Sequence, residues 1–495
     1  MNYESRDQIE EKYRWDLSSM YESDEAFEQA LVDIKTYPEQ LAAYRGKISQ
    51  SASELLAYLR LEDHVALEFE KAWNYAERRS DEDTRVSKYQ AYTARCMSLY
   101  TQLEEAGSWF NAELLSISED TIADFYADEP ALEHYRRKLE QVLRMRAHTL
   151  SAAEEALLAR AHDAASQPAN VYSMFEDADL TFDDATDEKG QKHKLTSGSY
   201  IPMLMGHDRV LRESAFKQLY GRYNQFRNTS AAMLTSQIKQ LKFFADSRKY
   251  ESSLAYSLDK NEVPVEVYDN LIEAVHNNLP AFYKYMDLRK QKLGLDELHY
   301  WDIYAPLVAD VDMKFTYEEA CDLIVKALEP MGEKYLELVK KGLSERWVDV
   351  YETPGKRSGA YSAGGKGMNP VILMNFQGTL DDVFTLIHEM GHSIHTYLSS
   401  HTQEITYSNY VLFVAEVAST CNEALLSHYL LEHESNPARH AYILNHFLEG
   451  FRGTIYRQCM FAEFERDVNA MNGRGEALNA DVLCKHYGEL NKLYF

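Results

Sequence analysis

The chain has 495 residues, and its 79 acidic against 52 basic side chains leave a net charge of −27. A surface so acidic disfavours nucleic acid and anionic membranes, and apolar runs stay far short of the ~18–20 residues that a membrane span needs. Five scattered cysteines (Cys96, Cys321, Cys421, Cys459 and Cys484) make no C-x-x-C pair, and residues 1–12 are polar and acidic with no apolar signal core, so a reducing, cytoplasmic setting is expected.

From the N-terminus onward the pattern is helical. Residues 66–79, 86–103 and 151–165 place apolar side chains three and four apart, opposite charged faces. Only 11 prolines and 21 glycines interrupt the chain, which suits long helices. Residues 179–195 alternate instead and hold a turn at 187–190, which predicts a β-hairpin. This break divides an N-terminal helical domain, 1–178, from a catalytic portion, 179–495. Helical spacing returns over 213–226 and 230–247.

A second break spans 359–376. Gly359, Gly364, Gly365 and Gly367 make a loop, followed by the apolar run Val371-Ile-Leu-Met behind Pro370. A phosphate-binding loop is excluded, because Lys366 is followed by Gly367 rather than by a hydroxyl residue. The spacing suits a loop that closes over substrate and an edge strand that takes up an extended peptide by strand addition. Tyr361, inside the loop, is a candidate substrate contact, and Gly359, Leu373 and Asn375 are candidates beside it.

Residues 379–398 read as one helix. Thr379 or Asp381 can cap it, acids occupy the first turn, and Val383, Phe384, Leu386 and Ile387 supply apolar positions. Within it lies His388-Glu-Met-Gly-His392, an H-E-x-x-H pattern. Histidines four apart share one face and can meet a single metal ion, while Glu389 is placed to deprotonate a metal-activated water. His395 reads as a structural or outer residue, since the helix continues there. The next apolar helix, around 411–426, carries two acids seven apart. An acid in such surroundings is costly unless paired or metal-bound. Glu416 is therefore the expected third ligand, with Glu423 its nearest rival and otherwise an acceptor that orients a ligand imidazole. Cys421 lies in the same helix, which reads as buried, and no G-x-S-x-G supports a serine nucleophile.

The run Thr379–His395, with Ser358-Gly-Ala-Tyr-Ser362, Val371-Ile-Leu-Met-Asn-Phe376 and Val414-Ala-Glu-Val-Ala-Ser-Thr420, resembles oligoendopeptidase F, the bacterial branch of the thimet-oligopeptidase metallopeptidases. Arg14-Trp-Asp-Leu17 and Tyr256-Ser-Leu-Asp259 extend the resemblance to most of the chain. It implies one Zn²⁺ on His388, His392 and Glu416, and Glu389 as general base and acid. It also implies a mainly α, multi-helix fold, with a small β element near the zinc helix and a deep channel that admits oligopeptides. Family members continue past a point like Asn491–Phe495 with a His-, Tyr- and Gly-rich segment that serves the oxyanion and the substrate, and no such cluster occurs here. Two alternatives stay open: a related zinc carboxypeptidase, and a catalytically weak peptide-binding protein.

Overall fold

The computed structural model describes residues 3–308, 311 and 313–495. The described helices and strands include, in chain order, α1 (Ala52–Glu82), α2 (Ser87–Gly107), α3 (Ala152–Ser173), β1 (Ala185–Thr186), β2 (Lys192–His193), α4 (Arg209–Gln225), α5 (Arg227–Ser247), α6 (Val265–Lys292), α7 (Tyr317–Ala327), α8 (Glu333–Ser344), β3 (Val348–Asp349), β4 (Tyr361–Ala363), β5 (Val371–Leu373), α9 (Leu380–Thr402), α10 (Leu412–His433), α11 (Arg457–Gly473) and α12 (Ala480–Tyr494). The fold is mainly α, as the helical periodicity requires, and none of its helices is long and apolar enough to cross a membrane among the described residues.

The chain forms two compact units, one from 1–146 and 312–434, the other from 147–311 and 435–495. It leaves the first unit at 146 and returns at 312, so a single division at 178/179 lies within the second.

In the first unit α1 and α2 close a core through Leu55, Leu59, Tyr75, Cys96 and Leu99, and the same core takes in Met368, Val371 and Leu373. The sheet has the order β3-β5-β4. β5 runs parallel to β3, pairing Ile372 with Val348, and antiparallel to β4, pairing Ile372 with Ser362. The edge strand expected at 371–374 is thus the central one. Val371, Ile372 and Leu373 are all fully buried, and an unbroken apolar triplet covered on both faces is what an internal strand needs. Pro370 misleads because it stands just before the strand, where no ladder donor is lost. The edge strands are β3 and β4.

Two basic groups, the buried Lys356 and the half-buried Arg6, anchor the sheet. Asp349 of β3 is inaccessible and lies 2.5 Å from Arg6 Nη2 and 2.7 Å from Lys356 Nζ. Arg6 also meets Glu82 at the end of α1.

The second unit contains the predicted hairpin. β1 and β2 pair antiparallel, Ala185 with His193, around the turn at 187–190. Ala185, Leu195, Tyr200, Ala215 and Leu219 form one of its cores, and Ile272, Leu279, Met460, Leu490 and Tyr494 another.

α10 departs from the buried helix suggested by its composition. Ser419, Asn422, Leu426 and Leu430 are buried, whereas Leu412, Phe413, Val417 and Cys421 are exposed. An apolar helix shows no polar stripe to mark its outer face, so sequence gives no warning of this.

Candidate metal centre

α9 begins with a capping box. Thr379 Oγ1 accepts from the Asp382 amide at 3.1 Å, and Asp382 Oδ2 accepts from the Thr379 amide at 2.8 Å. Gly378 enters this cap with φ +80°, and a side chain there would meet the Phe315 carbonyl at 2.6 Å. The helix start is thereby fixed, and nine residues on from Thr379 the chain presents His388.

His388 and His392 stand one turn apart, with their Nε2 atoms 3.1 Å from each other. Glu416 Oε2, from α10, lies 3.4 Å from each. Three donors bound at ~2.0–2.1 Å to one tetrahedral ion stand ~3.3 Å apart, so these three atoms match a single ion without rearrangement. Two imidazoles and one carboxylate, converging as a three-residue cluster, suit a borderline divalent metal such as Zn²⁺ with one position left open.

The other ring nitrogens are also held. His388 Nδ1 donates to Glu423 Oε1 at 2.5 Å, which leaves Nε2 with its lone pair toward the cluster. The His392 ring is braced by the Ala415 backbone. Ser419 donates its hydroxyl to Glu416 Oε2 at 2.7 Å.

Glu389 is buried on the neighbouring face of α9. Burial holds its carboxyl above the ordinary value, opposed by the charge of His388 and by the backbone amide of Ser362 in β4. Ser362 also pairs its hydroxyl with Ser393 of α9 at 2.7 Å. Burial pulls the His388 imidazole down, but the bond to Glu423 and the surrounding carboxylates outweigh it and leave the group raised. His392 is lowered, by burial and then by the charge of His388.

The residues expected around the substrate each have partners within the fold. The Tyr361 hydroxyl donates to Asp81 of α1, and the guanidinium groups of Arg78 and Arg357 lie over its ring, 4.8 and 5.5 Å from the centroid. Asn375 Nδ2 donates to the carbonyls of Arg357 and Gly359, at 3.0 and 2.8 Å. The Leu373 side chain is in the core. His395 stacks on Tyr410 with centroids 3.7 Å apart and lies outside the three-residue cluster.

Sequence reasoning missed the bond of Ser419 to Glu416, and those that Asn422 makes to the Ile387 carbonyl and accepts from Tyr335. Ser419 had a legible signal, since residues three apart on a helix are neighbours. Asn422 and Tyr335 had none: their hydrogen bonds join separate helices.

A family model described as Peptidase family M3 matches residues 203–495, and one described as Oligopeptidase F matches 113–182. Oligopeptidase PepF of Bacillus subtilis is 43% identical over 490 residues, which span 99% of this chain and 73% of that protein. A crystal structure from Chlamydophila abortus superposes with a TM-score of 0.92 at 33% identity, over 99% of this chain and 82% of that one. That of oligoendopeptidase-F from Enterococcus faecium superposes with a TM-score of 0.70 at 36% identity, over 95% of this chain and 80% of that one.

Proposed function

Since the chain belongs to peptidase family M3, in its oligopeptidase F branch, we propose that it is a zinc-dependent endopeptidase cleaving internal bonds of oligopeptides. The observation that carries this reading is the meeting of His388, His392 and Glu416 at tetrahedral spacing, with a buried Glu389 next along the same helix. His388, His392 and Glu416 would hold the ion, and Glu423 would fix the His388 tautomer. Bound there, zinc supplies a Lewis acid that acidifies water and polarises a carbonyl.

The chain's own groups do the rest. Glu389 takes a proton from the attacking water and passes it to the departing amine. The Ser362 amide keeps Glu389 aimed. An extended peptide would pair with the edge strand β4, replacing the role expected of β5.

The test is hydrolysis of a doubly blocked, internally quenched oligopeptide. Cleavage that is lost with a chelator and restored by zinc supports the endopeptidase. Cleavage only of peptides with a free C-terminus would make it a carboxypeptidase, and chelator-resistant cleavage would refute the metal mechanism.

A further inference from the structure

α9 and α10 approach so closely that a side chain at Gly391 would lie 2.8 Å from the Ala418 carbonyl and from Ser419 Cα. Ser419 is thus near the pivot on which α10 rests. At about 100° per residue, the face turned to α9 is centred on Ser419 and Leu426. Glu416 and Glu423 run along one border of that face, and Asn422 stands on the other, about 60° from the centre.

Asn422 is fully buried. Its Nδ2 donates to the Ile387 carbonyl at 3.2 Å, in the peptide unit that leads into His388. Its Oδ1 accepts from the Tyr335 hydroxyl of α8 at 3.0 Å. The carbonyl of Ile387 can only accept, so the orientation of the amide is determined by its partners. A buried amide without these bonds would be costly, which makes this geometry stiff.

We propose that Asn422, clamped by Tyr335, is a positioning residue for the metal centre: it stops α10 from rolling on Gly391 and so fixes where Glu416 meets the two histidines. The inference rests on the reading of the three-residue cluster as a metal site. The lever is short. A roll of ~10° would move a carboxylate ~5–6 Å from the helix axis by ~1 Å, whereas metal–ligand distances tolerate ~0.2 Å. Ser419 steers the Glu416 side chain, but it sits at the pivot and cannot resist the roll. Asn422, at the opposite border, can.

The experiment is competition for zinc between the full chain and a chromophoric chelator, with wild type, Tyr335→Phe, Asn422→Ala and the double variant, alongside thermal unfolding of each metal-free chain. Loss of a group that orients ligands commonly costs ~10–100-fold in metal affinity, and that loss is expected for Asn422→Ala. Tyr335→Phe should lose affinity in the same direction, and the double variant should match Asn422→Ala, because the two act through one bond chain. A folded Asn422→Ala chain with zinc affinity within about twofold of wild type would overturn the proposal. If Asn422→Ala does not fold, Tyr335→Phe decides: it removes one hydroxyl, and unchanged zinc affinity there refutes the clamp. Wild-type protein that fails to bind one zinc, or His388→Ala that binds it unchanged, would instead refute the metal site itself.

Discussion

Ser419 gives its hydroxyl to Glu416 Oε2 at 2.7 Å, and this is the same oxygen that lies 3.4 Å from both imidazoles. The bond is charge-assisted, so it is stronger than a neutral one and selects one carboxylate rotamer. Ser419→Ala should leave the fold intact and weaken zinc binding by about 10-fold, read by chelator competition. An unchanged affinity would show that Glu416 needs no such support.

Gly391 tests the closeness of the two helices. In an isolated helix, alanine is favoured over glycine by ~1 kcal/mol. Here a methyl group would be 2.8 Å from backbone atoms of α10, which cannot swing aside as a side chain can. Overpacking costs of ~1–3 kcal/mol outweigh the propensity gain. Gly391→Ala should therefore lower the urea midpoint, and a higher midpoint would contradict the packing described.

Asp349 sets a pH dependence. Burial pushes its carboxyl up, but Lys356 and Arg6 outweigh burial and hold it below its ordinary value. A depressed pKa contributes stability that is complete above the unfolded value, ~3.9, and is lost as pH falls through the folded one. Asp349→Asn should thus be less stable at pH 7, by ~3–5 kcal/mol where Lys356 is left buried and unpaired. Its stability should also fall less steeply than that of wild type below about pH 4. Parallel slopes, in urea unfolding followed from pH 6 to pH 2.5, would count against this.

Tyr361 separates two roles. With its hydroxyl on Asp81 and two guanidinium groups over its ring, it is placed to support β4. Tyr361→Phe should cost about 1–2 kcal/mol of stability through the lost hydrogen bond, with KM for a blocked peptide within about twofold. A large rise in KM at unchanged stability would return it to the substrate.

Much of the site was legible because its information is local. His388, Glu389 and His392 fall within one helical turn and a half, and Thr379 announces the helix start. Glu416 and Glu423 stood out because carboxylates are out of place in an apolar helix. What sequence could not give was pairing at a distance. β5 looked like an edge strand because its parallel neighbour, β3, is separated from it by loop and strand and has only two residues. The bond of Tyr361 to Asp81 was equally hidden, because the two are 280 residues apart. The exposure of Leu412, Phe413 and Cys421 escaped notice because an apolar helix carries no mark of which side is covered.

The most direct test of the central claim is the pair wild type and Glu389→Gln, each assayed for bound zinc and for cleavage of a doubly blocked oligopeptide. Glutamine preserves the shape but cannot take the proton, and general acid–base catalysis is worth ~10²–10⁴-fold. One zinc per chain is expected in both proteins, with a rate lowered by at least about 100-fold in the variant. Hydrolysis by Glu389→Gln at the wild-type rate, with zinc bound, would contradict it.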